Sequence, residues 1–375
     1  MLTSDFDYNL PSELIAQIPV EPRDSSRLMV VDKHTKEIQH KHFYDILNYL
    51  SAGDLLVWNN TKVFKARLHG KIELDEKVIK SPDSTRLRQG YAGRAGEILN
   101  AKEVEIFLVR PMENPGVWKV LAKPGKKLRL GMKVVFAPDF SAEIICKEKD
   151  GTVLVQFADD DMGVRAKANK YGEVPTPPYI KNQNVKIKNQ NLEEVYQTVY
   201  ARSEGSVAAP TAGFHFTPEL IQKLKDKGVE FAEVTLHVGL GTFLPVKTDK
   251  VEDHKMHSEL VEVTDKNAGL INQAKAEGRR IVAVGTTTVR TLEGLAKINE
   301  GQIKPWNGDI NLFILPGFKF QIVDALITNF HLPKSTLLML VSAFAEDKDF
   351  VLRCYEEAIR EKYRFYSFGD AMLIK

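Results

Sequence analysis

Between about residue 62 and residue 156 the periodicity of the chain changes, and this change constrains the fold most. Six short segments there have β-like patterns, and Gly, Pro or Asp turns separate them. Strands with this spacing are typical of a compact β-barrel or sandwich. Helix and strand patterns alternate on both sides of the region, as in mixed α/β folds. We therefore predict a large, discontinuous α/β domain (residues 1–61 and 157–375) with an inserted, smaller β-domain (residues 62–156).

Composition sets wide limits on the function. The 375 residues are 43% hydrophobic and allow two domains with substantial cores. With 52 Lys and Arg against 50 Asp and Glu, the overall charge does not indicate a nucleic-acid binder. Cys146 and Cys354 lie far apart, which indicates neither a disulfide framework nor a zinc site. The acidic start is unlike a signal peptide, and the longest apolar run (337–345) is too short to span a bilayer. We expect a cytoplasmic protein.

Residues 197–243 combine small side chains with titratable ones. Arg202, Glu204, His215 and His237 supply charge and proton-transfer capacity. Small residues beside them let the backbone approach a ligand closely; they are Gly205, Ser206, Ala208, Ala209, Ala212 and Gly213. The segment therefore predicts a functional site.

Local patterns place the two histidines of this segment. Thr217 suits a helix N-cap, Pro218 suits the first helical position, and Gly228 ends the helix. His215 comes just before this helix, whose dipole favours a neutral imidazole that can act as a base. The pattern FAEVTLHV predicts a strand with His237 near its end, where ligands collect in α/β folds.

Structural roles compete with each of these functional ones. A histidine between two phenylalanines, as at His215, is more often a hydrogen-bonded core residue than a catalyst. Arg202 and Glu204 could form a surface ion pair that contributes little stability. The Gly and Ala residues could mark a close contact between a helix and a strand.

The run RRIVAVGTTTVRTLEGL predicts a buried strand, a tight turn and a helix. Its turn directs backbone N–H groups and the hydroxyls of Thr286, Thr287 and Thr288 toward one point, which suits a carboxylate or phosphate. Ordinary N-capping by threonine is the alternative. The run has neither GxxxxGK nor GxGxxG spacing, so it is no standard nucleotide loop.

A second polar loop lies in ITNFHLPKSTLLMLVSAFA. Asn329, His331, Lys334 and Ser335 stand between two apolar runs there. Polar groups clustered at the end of a buried element often build a site, although a capped loop is the alternative.

Three further segments are less specific. Residues 74–100 are polar and rich in Lys, Arg and Gly. This composition predicts a mobile hairpin loop or a basic arm that contacts RNA phosphate. We expect residues 80–97 to be dispensable for folding. The segment GEVPTPPYI is a stiff return to the large domain or part of a site rim. His254 and His257 lack HExxH spacing and a strong third ligand, so we predict no metal there.

Longer stretches carry a resemblance to a known family. They are VYARSEGSVAAPTAGFHF, VTLHVGLGTFLPV, HKMHSE, VAVGTTTVRTLE, ITNFHLPKSTLLMLVSAFA and YRFYSFGDAMLI, with DFDYNLPSELIAQIPVEPRDSSRLMVVD and GDLLVWNNTKVFKARLHG near the start. Together they resemble the S-adenosylmethionine:tRNA ribosyltransferase-isomerase family of queuosine biosynthesis, in order from about residue 5 to residue 374. The chain departs from the family at the longer 74–100 connection and at Glu346, where glycine is usual.

This resemblance implies a fold and a reaction. The fold is a discontinuous α/β domain interrupted by a β-barrel. The reaction transfers and isomerises the ribosyl unit of S-adenosylmethionine onto 7-aminomethyl-7-deazaguanine at the wobble position of a tRNA with a GUN anticodon. It yields epoxyqueuosine-tRNA, adenine and methionine, and S-adenosylmethionine is a co-substrate rather than a cofactor. The family reaction is understood to need no metal, and the resemblance favours a monomer.

The resemblance also implies roles for individual residues. For the base that removes the C5′ proton we rank His215 before His237, with Glu204 a candidate, whereas Arg202 stays protonated and stabilises charge. Substrate-binding roles are expected for Ser206, Ala208, Pro210, Thr211, Gly213, Phe214, Thr286, Thr287, Thr288, Asn329, His331 and Lys334.

Two other classes compete with this enzyme. A non-catalytic RNA-binding or assembly protein would not require so many His, Arg and Glu residues in Gly-rich turns. A small-molecule hydrolase would release product without tRNA. Release of adenine from S-adenosylmethionine in the presence of modified tRNA discriminates between the three classes.

Overall fold

The structure, a computed structural model, describes residues 1–73, 103–177, 179–180, 192–239, 246, 248–254, 256 and 258–375. These residues form two compact units, Met1–Val63 with Thr176–Lys375, and Phe64–Pro175. No helix in the described ranges is long and apolar enough to cross a membrane. The segment predicted to be dispensable, 80–97, lies outside the described residues.

The elements are numbered in chain order. The strands are β1 (Arg27–Val31), β2 (Ile38–His42), β3 (Leu55–Asn59), β4 (Thr61–Val63), β5 (Arg67–Glu73), β6 (Glu103–Pro111), β7 (Val117–Lys123), β8 (Lys133–Ala137), β9 (Phe140–Lys147), β10 (Val153–Phe157), β11 (Ser203–Ser206), β12 (Glu230–Leu236), β13 (Glu259–Val263), β14 (Ile281–Val284), β15 (Trp306–Ile310), β16 (Ala325–Asn329) and β17 (Ala371–Ile374). The α-helices are α1 (Asp161–Tyr171), α2 (Leu192–Val195), α3 (Pro218–Asp226), α4 (Asp265–Ala276), α5 (Thr286–Ile298), α6 (Thr336–Phe344) and α7 (Lys348–Arg360). Short 3₁₀ helices are Thr3–Phe6, Ser12–Leu14, Arg23–Ser25, Phe43–Asn48, Gly125–Lys127, Thr211–His215 and Val251–Asp253.

A nine-stranded sheet organises the first unit, in the order β15-β13-β12-β3-β14-β16-β17-β1-β2. Its central strands β12, β3, β14 and β16 are mutually parallel. β17 is antiparallel to β16, and β1 is parallel to β17. The carboxyl ends of the four central strands therefore meet the amino ends of β17 and β1 at one edge of the sheet.

The central strands are buried on both faces, which explains why their sequences are almost continuously apolar. Side chains of a strand alternate between faces. Leu55 and Val57 of β3 belong to one core cluster, and Leu56 and Trp58 belong to the other. The first cluster also contains apolar residues of α4 to α7, and the second contains Leu220 and others from α3 and the Phe43–Asn48 turn. Helices on both faces thus give the unit its layered α/β core.

The second unit contains a closed six-stranded barrel, in the order β10-β7-β6-β5-β8-β9. Every neighbouring pair is antiparallel. The predicted fold class, mixed α/β with an inserted β-barrel, is confirmed.

The unit boundaries differ from the expected 62–156. Helix α1 belongs to the barrel unit because Val164 and Ala168 are buried there and because the hydroxyl of Tyr171 donates to Asp139 at 2.7 Å. At the amino-terminal boundary of the barrel unit, β4 belongs to the α/β unit, since it pairs in parallel with β11. Only Asn60 separates β4 from β3.

Most predicted elements of the α/β unit are confirmed, including α3 with Thr217 as its N-cap. The sequence patterns of residues 11–18 and 43–50 predict helices, but neither segment forms an α-helix. Both regions form short 3₁₀ turns, because Ile15 bridges to Phe365 and the 43–48 turn closes through i to i+3 bonds.

Candidate functional site

One edge of the large sheet gathers most of the predicted site segments. The parallel strands β12, β3, β14 and β16 end there, followed by His237, Asn60, Gly285 and Phe330. The segment preceding β17, residues 366–370, returns to the same edge. In open α/β sheets ligands bind outside the carboxyl ends of the strands. This edge is therefore the candidate site of the first unit.

A cleft opens at this edge. Seven of the residues predicted to bind substrate line it: Ala208, Pro210, Thr211, Thr286, Thr287, Asn329 and His331. The other lining residues are Tyr179, Ala209, Ala212, Val238, Gly285, Thr328, Phe330, Leu332, Ser335, Leu337, Tyr366 and Ser367. The walls are mainly apolar with a few polar groups, which is the usual character of a small-molecule site.

The amino end of α5 forms one wall of the cleft. Its N-cap, Gly285, has φ 89 and no side chain that could accept from the first-turn N–H groups. Thr287 is 7% exposed, and its hydroxyl has no hydrogen-bond partner among the described residues. The hydroxyl of Thr288 instead donates to the carbonyl of Val284 at 2.7 Å. Thr286 and Thr287, but not Thr288, therefore face the cleft.

Asn329 connects the cleft with the residues behind it. Its Nδ2 donates to the carbonyl of Tyr366 at 3.1 Å and lies 3.2 Å from Nε2 of His215. Its Oδ1 accepts from the hydroxyl of Thr211 at 3.4 Å. Asn329 is only 2% exposed and lines the cleft. Its carboxamide therefore has a defined environment on every side except the cleft.

His215 lies behind Asn329 and is 3% exposed. Its Nδ1 is 2.7 Å from the hydroxyl of Ser26, and its ring stacks on Phe43 with centroids 4.9 Å apart. Burial, then the charges of Arg23 and Arg364, lower the pKa of His215 to about 3. The imidazole is therefore neutral, for a different main reason than the predicted helix dipole. It lines a second, smaller pocket together with Phe214 rather than the cleft.

His237 follows β12 at the sheet edge. Its Nδ1 is 2.9 Å from the hydroxyl of Thr61. Gly205 lies against its ring, since a Cβ at this position would be 2.7 Å from Cε1. Glu204 is half-buried on β11 beside this glycine. The side chain of Arg202 is 65% exposed and pairs with Glu233.

Three of the predicted binding residues shape the site from inside. Ser206 is fully buried; its hydroxyl donates to the carbonyl of Ala208 at 2.6 Å and accepts from the N–H of Val238 at 2.9 Å. Gly213 packs under Tyr200, whose hydroxyl would be 1.9 Å from an added Cβ. Phe214 stacks on Phe368 with centroids 5.8 Å apart. These three residues support the cleft-lining residues 208–212 on either side of the chain. They do not line the cleft themselves.

The remaining predicted residues lie on the loop after β16, where only some of them line the cleft. His331 lines the cleft, and its Nε2 is 2.8 Å from the hydroxyl of Thr328. Burial lowers the pKa of His331 to about 3, so its ring is neutral. Lys334 is 44% exposed on its side chain, does not line the cleft, and pairs with Asp7 at 2.7 Å. Ser335 caps α6 by accepting from the N–H of Leu338 at 3.2 Å.

Sequence patterns missed an aromatic wall of the cleft. The hydroxyl of Tyr179 is 2.6 Å from that of Ser367, and the rings of Tyr179 and Tyr366 have centroids 4.7 Å apart. Burial raises the pKa of Tyr179 to about 12, so the phenol stays protonated. The quoted motifs GEVPTPPYI and YRFYSFGDAMLI contain these residues, but only tertiary contact brings the two segments together.

No group of three His, Cys, Asp or Glu side chains is placed to hold a metal ion in the described part of the chain. His254 of the HKMHSE segment packs against Phe313 with ring centroids 5.6 Å apart. His257 lies outside the described residues.

The fold defines the class as a two-unit α/β protein with an inserted barrel. A mainly apolar cleft at the carboxyl ends of its strands is the candidate small-molecule site. Comparison with known proteins narrows this class. The family model described as queuosine biosynthesis protein matches residues 3–374. The chain therefore belongs to the queuosine biosynthesis protein family.

Relatives and a solved structure agree with this assignment. An S-adenosylmethionine:tRNA ribosyltransferase-isomerase from Thermotoga petrophila is 51% identical over 375 residues, and one from Carboxydothermus hydrogenoformans is 52% identical over 376 residues. Both matches cover 100% of each chain. The crystal structure of an S-adenosylmethionine tRNA ribosyltransferase from Thermotoga maritima is 40% identical, with a TM-score of 0.53, and the match covers 99% of this chain and 100% of that chain. The chain is accordingly an enzyme of the transferase-isomerase class.

Proposed function

We propose that this enzyme transfers and isomerises the ribosyl unit of S-adenosylmethionine onto 7-aminomethyl-7-deazaguanine at the wobble position of tRNA. The products are epoxyqueuosine-tRNA, adenine and methionine. Both substrates are those that the relatives' names contain. We infer further that the tRNA has a GUN anticodon and that the chain acts as a monomer in the cytoplasm, as the family resemblance implies.

The observation that carries this proposal is the uncapped amino end of α5 in a cleft with apolar walls. The N–H groups of the first turn and the helix dipole favour an anion. The hydroxyl of Thr287, which has no hydrogen-bond partner among the described residues, adds a donor at the same place. We assign this wall to the methionine carboxylate of S-adenosylmethionine. The apolar and aromatic walls, among them Leu332 and Tyr366, suit the adenine ring.

The reaction requires a base for the C5′ proton next to the sulfonium. We propose His237 for this role, with Glu204 as the second candidate. His237 follows β12 directly at the sheet edge, beside Val238 of the cleft wall, and its Nδ1 lies 2.9 Å from the hydroxyl of Thr61. His215 suits the role less well, because it is 3% exposed and both of its ring nitrogens lie within hydrogen-bond distance of protein groups. Arg202 remains a candidate for charge stabilisation.

Adenine release tests the proposed function directly. The enzyme is incubated with S-adenosylmethionine and tRNA that carries 7-aminomethyl-7-deazaguanine, and free adenine is quantified. We expect stoichiometric adenine and a matching mass increase of the tRNA. The matched control is the same tRNA with guanine at the wobble position, which should give neither product. Equal adenine release without tRNA would instead identify a hydrolase, and binding of tRNA without release would identify a non-catalytic protein.

A further inference from the structure

We propose that His215 is a positioning residue that holds the carboxamide of Asn329 in one orientation. In that orientation Oδ1 of Asn329 faces the cleft and accepts a hydrogen bond from an N–H or O–H group of the bound ligand. The ligand is S-adenosylmethionine, so this role rests on the proposed function. Its α-ammonium, its ribose hydroxyls and the exocyclic amino group of its adenine are the groups with suitable donors.

The orientation of the Asn329 carboxamide follows from its partner Tyr366. The backbone carbonyl of Tyr366 can only accept a hydrogen bond, and it lies 3.1 Å from the carboxamide of Asn329. The NH₂ group must therefore be on this side, because the opposite orientation would place two oxygens against each other. The same NH₂ group lies 3.2 Å from Nε2 of His215. Nε2 is consequently the acceptor of this second hydrogen bond.

The tautomer of His215 follows from the same contacts. A neutral imidazole whose Nε2 accepts must carry its proton on Nδ1. Nδ1 is 2.7 Å from the hydroxyl of Ser26, which accepts this proton in a hydrogen bond. Burial and the nearby Arg23 and Arg364 keep the pKa of the ring far below neutral pH. A protonated ring would present an N–H to the NH₂ group of Asn329 and break the contact.

These bonds leave Asn329 with one function in the cleft. Both protons of its NH₂ group are used, one on Tyr366 and one on His215. Its Oδ1 accepts one long hydrogen bond, 3.4 Å, from Thr211 and has a second lone pair. Asn329 and Thr211 both line the cleft, whereas His215 does not. His215 therefore acts on the ligand through Asn329.

Variants of His215 separate positioning from proton transfer. The side-chain carbonyl of Gln can accept from Asn329 but cannot take a proton at neutral pH, whereas Ala provides no acceptor. We measure the dissociation constant of S-adenosylmethionine by calorimetry and single-turnover adenine release at saturating S-adenosylmethionine with modified tRNA. For His215→Ala we expect about 10- to 100-fold weaker binding with a rate within about tenfold of wild type. For His215→Gln we expect both quantities within about fivefold of wild type.

Two controls distinguish positioning from loss of stability. Leu224→Ala removes a buried contact on α3 without touching the hydrogen bonds of His215. It should lower the melting temperature at least as much as His215→Ala and leave ligand binding unchanged. Asn329→Ala should weaken binding as His215→Ala does. The double variant of Asn329 and His215 should bind no more weakly than Asn329→Ala alone, since His215 acts through Asn329.

Three outcomes would overturn the positioning role. One is a His215→Gln enzyme that is as slow as His215→Ala while both bind S-adenosylmethionine normally, because this pattern identifies a base. Another is additive loss of binding in the double variant. The third is an equal loss of binding in Leu224→Ala. Wild-type enzyme that binds S-adenosylmethionine but releases no adenine would refute the proposed function instead, and the binding measurements would still test His215.

Discussion

Gly205 lies against the face of the His237 ring, so closely that a Cβ at Gly205 would be 2.7 Å from Cε1 and 2.8 Å from Nε2. Thr61 holds Nδ1 of the same ring at 2.9 Å. The backbone of β11 at Gly205 and the Thr61 hydroxyl on β4 therefore fix the imidazole from two directions. This arrangement explains why a glycine stands between Glu204 and Ser206.

A methyl group at Gly205 should displace the imidazole of His237. We expect Gly205→Ala to reduce single-turnover adenine release by about 100-fold, because displacement of a catalytic group by about 1 Å has this effect. The control is Gly269→Ala on α4, where a Cβ would meet no atom within 4 Å. That variant should keep the wild-type rate and gain about 0.5–1 kcal/mol of stability. A normal rate in Gly205→Ala would contradict the role of His237.

A second prediction concerns the hydroxyl of Thr287. Thr287→Val keeps the shape of the side chain but removes the donor at the amino end of α5. We expect affinity for S-adenosylmethionine to fall about tenfold or more, with no loss of stability, because the hydroxyl has no partner among the described residues. Calorimetry and thermal unfolding provide the two measurements.

Thr291→Val is the matched control on the same helix. The hydroxyl of Thr291 donates to the carbonyl of Thr287 at 3.0 Å and does not line the cleft. This change should leave affinity for S-adenosylmethionine unaltered. Similar losses of affinity in both variants would show that the effect comes from the helix rather than from the Thr287 hydroxyl.

A third prediction concerns the contact between Gly213 and Tyr200. The Tyr200 hydroxyl is buried without a hydrogen bond to any described residue, so Tyr200→Phe should be neutral or stabilising. Gly213→Ala should lower the free energy of unfolding by about 1–3 kcal/mol or more, since the new Cβ would overlap this hydroxyl. The double variant should recover part of the loss. Chemical denaturation measures all three, and an unchanged loss in the double variant would contradict the steric explanation.

The buried imidazole of His215 makes stability depend on pH. Its pKa is about 3 in the folded protein and about 6.5 when unfolded. The unfolded state therefore binds more protons between these values, so this stabilisation is complete above about pH 6.5 and is lost as the pH falls toward 3. From pH 7.5 to pH 5.0 the wild type should lose about 2 kcal/mol more than His215→Gln. Parallel stability curves for the two proteins would contradict a buried neutral ring.

Local sequence patterns determined much of the α/β unit. Helix α3 begins where Thr217 and Pro218 predict, because N-caps depend on neighbours within one turn. The amino end of α5 was predicted from the tight glycine turn that follows a buried strand. The 3₁₀ turn at 43–48 was not, since its residues suit either helix type and tertiary packing decided between them.

The division of roles inside the site depended on contacts between distant segments. Sequence spacing made Thr286, Thr287 and Thr288 equivalent, but only the structure turns Thr288 back onto Val284. Residue type made His215 a candidate base. Its partners, Ser26 and Asn329, are 189 and 114 residues away, and no local pattern encodes such pairings.

The sequence by itself thus determined the type and order of most elements, an inserted β-domain and the segments expected to carry the chemistry. Hydrophobic periodicity, caps and turns act over a few residues, so they can be recognised without a structure. Only the tertiary structure decided which polar groups face the cleft and which form hydrogen bonds inside the core. That choice depends on burial and on hydrogen-bond partners from distant strands, because most buried polar groups are hydrogen-bonded to whatever the fold places beside them.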